Sequence, residues 1–534
     1  MKCISESGYL PFKSLGTGVD STTSPREENR TIKIFILLII FFSNLKLKSQ
    51  SSLDSIIFQK KRIEFDISEM NRNFWVKENS EHFLVLGDIE NGKNLKWIFK
   101  TFDRELNPLK DTILVLDRSY TVKNIISDDK FFNLFYKKNY SNEKDYLYVK
   151  YDYTSNTFNS YEIRLPLSLT IKKILLYSEN LILLGNLKNG RNLVSIYNIN
   201  TKQLNNIYDY LYSENDIINI FKSDPLSFDV LLSKNGDNNL KTIERKKYSI
   251  NRDLIGSYSI ESSKNSIIES KKIKHNKEEY NVSLLGIKNS KQALGFRIDL
   301  SGEKLEILNE KKFLEINVLK DFFIGENKIL NKKIDKKDLN NLKLGYEFFI
   351  DTLFISNNQI HISFESLKPN YSNDGFSNYS YMPYYNSFTG RYDKKINPKF
   401  GGYSHDISIY LVLDMKGNIQ LSSVERINNL KTFDNKPYLN YIIKGNNLIS
   451  FYVNKGIITL LKKDIVKNIK SKVGVFKLKV DENETVIKSE TNPEGTFNWY
   501  KNNYLSYGIQ NIKIKDQTQN INKRVFYISN FEIN

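Results

Sequence analysis

The sequence predicts an all-β fold, a β-propeller of seven or eight four-stranded blades. Three observations predict it. Short apolar runs fill the chain, an Asp or Asn turn marker recurs about every 50 residues, and no long amphipathic helix is present. Tandem β-sandwiches and a β-solenoid are the alternative arrangements.

The runs are four to eight residues long and rich in Ile, Val, Tyr and Phe. Examples are His82–Gly87, Tyr146–Tyr151, Leu181–Gly185, Asp229–Leu232, Val282–Gly286, Ile407–Asp414 and Leu448–Val453. Some alternate and some do not, as strands inside stacked sheets do. Lys328–Lys343 is polar and reads as a solvated insert or a short helix.

The marker ends a strand and opens a polar turn, where an Asp or Asn oxygen caps backbone N–H groups. It stands at Asp103, Asp152, Asn200, Asn251, Asp299 and Asp414, with spacings of 49, 48, 51, 48 and 115. Asp481 and Asn530 have similar contexts. A period near 50 is the length of four short strands with their connections. The long spacing reads as two periods plus an insertion.

Length and composition bound the rest. A 534-residue chain with 24 Gly and 10 Pro is neither collagen-like nor a Pro/Gly-rich disordered chain. One cysteine excludes a disulfide framework and a Cys-based zinc site. No metal site and no cofactor are expected, since Gly-rich phosphate loops and Asp-rich calcium loops are absent from the sequence.

Residues 1–49 read as a leader. Ile34–Phe42 is nine apolar residues, too short to span a bilayer and the right length for a signal-peptide core. Arg26, Arg30 and Lys33 precede it, and Ser49-Gln50 is the expected cleavage point. The stretch 1–30 is polar and aperiodic, which fits a translation start nearer Thr31. The expected location is the periplasm, the cell envelope or the exterior. The lone Cys3 falls in the leader, and so do seven basic and four acidic residues, leaving +15 on residues 50–534. These form one propeller domain, with no transmembrane segment expected, and a monomer. The Lys clusters are short, interleaved with acids and apart from the aromatics, so nucleic acid is not an expected partner.

Chemistry concentrates at an insert, 368–406. Lys368–Tyr403 holds ten aromatics where the chain average gives about five, with Asn, Ser and Gly between them. Such mixtures make adaptable binding loops. The candidate ligand-binding residues are Tyr371, Tyr381, Tyr384, Tyr385, Arg391, Tyr403 and His405. The insert either contacts a ligand or packs its own rings over the propeller rim. His405 and Asp406 are neighbours on a strand, so they face opposite ways and form no dyad. His82 and His361 read as structural and His275 as solvated. No nucleophile elbow precedes His405, and no local motif selects a carboxylate pair, so catalytic residues are not assigned.

The C-terminal part adds a resemblance. Tyr346–Asp351, Ile360–Tyr371, Gly402–Asp406, Tyr410–Asn418, Asn498–Gly508 and Arg524–Ile528 follow one another in that order. This order resembles large secreted β-rich, propeller-like proteins of Bacteroidota that have no assigned function. The resemblance covers about 190 residues from 346 onward. It implies an envelope or extracellular location and carries no substrate. The expectation is a non-catalytic scaffold that binds a protein or glycan of the cell envelope. The alternative is a propeller-type polysaccharide hydrolase or lyase.

Overall fold

The second strands of most blades carry long buried runs, because each sheet is covered by a neighbouring sheet on either side. Phe83–Asn91 opens with six consecutive buried residues, and Asn180–Leu187 has five in a row. Outer strands behave differently. Pro108–Asp117 alternates half-buried and exposed positions along its second half.

The computed structural model describes residues 56–534, apart from 68–69, 71–73, 140–143, 189, 208–215, 236–240, 263–264, 277, 288–291, 302–304, 327–343, 345, 373–383, 387–390, 394–398, 433–435, 465–468, 501 and 516–519. The leader 1–49, with its apolar stretch 34–42, lies outside them, and so does the polar stretch 328–343. No described helix is long and apolar enough to cross a membrane.

Eight four-stranded antiparallel sheets follow one another as the blades of a propeller ring. Blade 1 is Phe74–Glu78, Phe83–Asn91, Asn94–Phe102 and Pro108–Asp117. Blade 2 is Tyr120–Ser127, Phe131–Lys138, Asp145–Asp152 and Thr157–Arg164. Blade 3 is Leu169–Leu176, Asn180–Leu187, Asn192–Asn198 and Leu204–Ile207. Blade 4 is Asp216–Asp224, Ser227–Asn235, Lys241–Ser249 and Leu254–Ser262. Blade 5 is Ser266–His275, Glu278–Gly286, Ala293–Ser301 and Leu305–Lys312. Blade 6 is Glu347–Ser356, Gln359–Ser372, Lys399–Asp414 and Ile419–Thr432. Blade 7 is Asn440–Lys444, Asn447–Asn454, Ile457–Asp464 and Ile469–Lys477. Blade 8 takes Glu484–Tyr500, Asn503–Lys515 and Asn520–Ile533 from the end of the chain.

The fourth strand of blade 8 is Ile57–Asp66, from the start of the ring. It pairs antiparallel with Asn520–Ile533, from Ile57 opposite Ile533 to Asp66 opposite Val525. Apolar clusters then join blade 8 to blade 1 through Phe526 and Ile528 against Phe83 and Val85. The ring therefore closes on both hydrogen bonds and apolar packing.

The repeat marker is the turn between third and fourth strands. Asp103 accepts the N–H groups of Glu105 and Asn107 at 3.0 and 2.7 Å, and Asp414 those of Lys416 and Asn418 at 3.0 and 2.8 Å. Asp152 caps Thr154 and Ser155. In blades 3 and 4 the capping oxygen comes two residues earlier, from Asn198 and Ser249. A residue with positive φ closes each turn: Leu106, Asn156, Lys202, Arg252 and Gly417.

Three sequence expectations need correction. Asp299 sits inside the third strand of blade 5, opposite Asn281. Asp481 lies between blades 7 and 8, and Asn530 inside the third strand of blade 8. The step from Asp299 to Asp414 is a single blade, lengthened by the blade 5–6 connection and by the insert in blade 6. That connection holds a 3-10 turn, Phe313–Glu315, and a ten-residue helix, α1 (Asn317–Glu326). Its Leu319 and Phe323 join Phe348 and Phe364 in the core between blades 5 and 6.

Candidate functional site

Two places gather polar chemistry: the base of the blade 6 insert, and the channel edge of blades 3–6.

The insert interrupts the second-to-third-strand turn of blade 6. Strand directions alternate, so these turns share one face of the ring with the connections between blades. The flanking strands continue the ladder outward, with Pro369 opposite Tyr403 and Tyr371 opposite Phe400. Beyond them a short hairpin pairs Tyr384–Asn386 with Arg391–Asp393, placing Tyr385 opposite Tyr392 and Arg391 opposite Asn386. Tyr371, Tyr384, Tyr385 and Arg391 are thus placed by backbone, Tyr403 is half-buried, and Tyr381 lies outside the described residues.

His405 is buried and committed to the base of the insert. Its Nδ1 meets the Glu365 carboxylate and its Nε2 meets the Thr432 hydroxyl at 2.9 Å. The second oxygen of Glu365 accepts the N–H groups of Tyr438 and Leu439 at 2.8 and 3.0 Å. One carboxylate therefore ties together the second and third strands of blade 6 and the connection to blade 7. The ladder slips on both sides of His405, so that Asp406 is skipped in both and Ser366 pairs only with Phe348 on the first strand. Glu365 lies 40 residues from His405, so no local spacing signals the pair.

The other histidines are structural or peripheral. His361 is buried, stacked on Phe354 at 4.7 Å and bonded to Tyr410 at 3.0 Å. His82 packs against Tyr153 in a tilted pair with ring centres 4.3 Å apart. Burial lowers the pKa of both. His275 ends the first strand of blade 5, half-buried.

The channel edge is built by first strands, which meet one another in sequence from blade 3 to blade 6. Those of blades 2, 3, 4, 5, 6 and 8 each carry a bulge, after Val122, Ile171, Ile217, Ile267, Ile350 and Val486. A bulge bends its strand and re-aims side chains. At the bulges of blades 3–6 lies a cavity of about 660 Å³. It is lined by Lys173, Asn219, Phe221, Glu269 to Lys272, and Asp351 to Leu353.

Its charges are unevenly matched. Lys272 Nζ lies 2.8 Å from Asp229 and 3.3 Å from Glu279, and Arg245 pairs with the same two carboxylates. Those four groups form a buried lattice between blades 4 and 5. Lys173 Nζ donates to the side chain of Asn219 at 2.9 Å, and Lys271 Nζ to the backbone carbonyl of Asp351 at 2.7 Å. Burial, then the charges of Lys271 and Lys272, bring Lys173 down to about 8. Burial, with the Glu365 carboxylate beside it, pushes Asp351 up to about 8. Burial raises Glu269 as well, and its Oε2 accepts the Ile350 N–H at 3.1 Å. The cavity thus offers ammonium donors and, near neutral pH, a protonated carboxyl.

No protein-family model and no curated protein match this chain. Solved propellers do. One of two prolyl endopeptidases aligns with a TM-score of 0.36 at 9% identity over 84% of this chain, which spans 56% of that one. The WD40 domain of SCAP from fission yeast gives 0.37 at 10%, covering 88% of this chain and 98% of that one. The polysaccharide lyase Uly1 gives 0.35 at 8%, covering 78% and 93%. Likenesses this distant carry no argument about this chain, whose fold rests on its own sheets.

Proposed function

We propose that this chain is an exported, non-catalytic binding propeller. It holds a protein or glycan partner of the cell envelope through the blade 6 insert, with Tyr371, Tyr381, Tyr384, Tyr385, Arg391 and Tyr403 as contact residues. His405 acts beneath them as a positioning residue. The observation that carries this reading is the anchorage of the insert. Flanking strands of 14 and 16 residues, against nine for each of the same strands of blades 4 and 5, are locked at their base by Glu365. A rigid base limits the entropy lost when an aromatic loop takes up a partner.

The test replaces 373–398 with a short Gly-Ser link and compares both proteins on a glycan array and in an envelope pull-down. Binding by the intact chain, lost in the deletion, is the expected result; equal binding refutes the insert. Export is tested by fusing residues 1–60 to a reporter active only outside the cytoplasm. The hydrolase or lyase alternative draws on Asp351 and Lys173, whose shifted acidities suit proton transfer near neutral pH. Polysaccharide turnover abolished by Asp351→Asn would establish it.

A further inference from the structure

Two cations border the channel cavity with only neutral acceptors. An ammonium has three N–H donors. Lys173 uses one on an amide oxygen and Lys271 one on a backbone carbonyl. Among the described residues neither forms an ion pair, whereas Lys272 beside them is held by two carboxylates. Glu269 is the one carboxyl whose charge reaches both, so two half-buried cations share at most one counter-charge; that is costly, and a bound anion lowers the cost.

The carboxyls on the same wall do not cancel these charges. Asp351 receives the Ser363 hydroxyl at 3.2 Å and is mainly protonated near neutral pH. Glu269 gives one oxygen to the Ile350 N–H and its pKa is raised by burial. Lys272 is balanced by Asp229 and Glu279, which also share Arg245. Two ammoniums facing one ionisable carboxyl leave a surplus of roughly one to two charges. A monocarboxylate falls in that range. A phosphate dianion would bring a second charge beside the Glu269 carboxyl.

The cavity is also far larger than a bare ion needs. About 660 Å³ is the volume of a small-molecule pocket. Thr352 and the carboxyls of Asp351 and Glu269 offer partners for hydroxyls, and Leu353 adds an apolar wall. We propose that the cavity on the first strands of blades 3–6 binds a sugar acid, whose carboxylate is taken by Lys173 and Lys271. This site is separate from the insert and stands without it.

The test is isothermal titration calorimetry on the full chain at low salt, with D-glucuronate, D-glucose, inorganic phosphate and a glucuronate-containing oligosaccharide. Glucuronate binds, glucose does not, and phosphate binds more weakly. Lys173→Met and Lys271→Met each weaken glucuronate by about tenfold or more, whereas Lys271→Arg keeps most of the affinity. Added salt weakens binding. Binding of the oligosaccharide places the sugar acid within a polysaccharide; binding of the monomer alone places it as a free acid. Thermal melts without ligand check that each variant folds, and Lys271→Gln replaces the Met variant if that one does not. The inference is overturned if glucuronate does not bind, if glucose or phosphate binds as tightly, or if both lysine variants bind as the wild type does. Replacing 373–398 leaves glucuronate binding unchanged, so this site and the insert fail separately.

Discussion

Asp229 is the clearest place to test how the ring carries its charge. Its side chain is fully buried and pairs with Arg245 at 2.7 Å and Lys272 at 2.8 Å. Asp229→Asn keeps the shape and removes the charge, leaving two buried cations to share Glu279. Breaking a buried pair from one side costs about 3–5 kcal/mol. The ring from Ile57 to Asn534 has about 480 residues, and unfolding entropy near ~2.1 cal/mol/K per residue makes that a fall of roughly 3–5 °C in Tm. Differential scanning calorimetry at one fixed scan rate, at pH 7, reads it. The double variant Asp229→Asn with Arg245→Met leaves Lys272 with Glu279 and recovers most of the loss. The pH sign follows from the carboxyl itself. Burial opposes its ionisation, but Arg245 and Lys272 overcome that and hold its pKa below the usual value. Its contribution is therefore present above the unfolded pKa of about 3.9 and fades as pH falls through the folded one. The difference between wild type and Asp229→Asn closes in acid. A Tm within about 1 °C of wild type at pH 7, or a double variant as unstable as the single one, refutes the reasoning.

Other consequences can be checked in the same way. Deleting Ile57–Asp66 leaves the third strand of blade 8 unpaired along its outer edge; size-exclusion chromatography should show aggregation, and a monodisperse, cooperatively melting product would contradict the closure. Glu494 is buried, accepts the Gly456 N–H at 2.9 Å and is pushed up to about 7. The folded state then binds more protons than the unfolded one between about pH 4 and 7, so stability falls as pH rises through that window. Glu494→Gln should raise Tm at pH 8, with a stability gain of at most about 3.5 kcal/mol, and give no gain at pH 4. A Cβ on Gly295 would sit 2.2 Å from the Lys311 carbonyl and 2.6 Å from the Lys312 Cα, both backbone of the paired strand. Gly295→Ala should cost at least about 2 kcal/mol by urea titration, while Gly325→Ala, which meets nothing within 4 Å on helix α1, should be neutral or slightly stabilising.

The fold was legible because its repeat is made by local physics. Asp103, Asp152 and Asp414 cap turns of their own making, and such turns need only the residues that form them. The reading slipped where another residue does the same work. Asn198 and Ser249 supply the oxygen in blades 3 and 4, two residues before the positions the spacing selects. The blade count reached eight only with the closing strand. Ile57–Asp66 resembles any other amphiphilic strand until its partner, Val525–Ile533, is known, and the two are held together by ring closure.

The sites were less legible, for a different reason. The insert declared itself by composition, since ten aromatics in 36 residues need no partner to be noticed. Its base did not: Glu365 is one carboxylate among 61 acidic residues, and its role depends on His405, Tyr438 and Leu439 arriving from separate segments. The channel cavity is more extreme. Lys173, Asn219, Glu269 and Asp351 come from four blades, and each stands at the bulge of its first strand. A bulge breaks the two-residue alternation that sequence reading relies on, so these residues look like noise in an edge strand. The repeat nevertheless places them. Bulges at matching positions in successive blades bring one polar residue per blade to the same level of the channel. Lys271-Lys272, which reads along the chain as a solvated cluster, divides there into one cation locked by Asp229 and one bonded to a backbone carbonyl. Function in this ring is therefore expected at positions where the blade repeat is kept and strand alternation is broken.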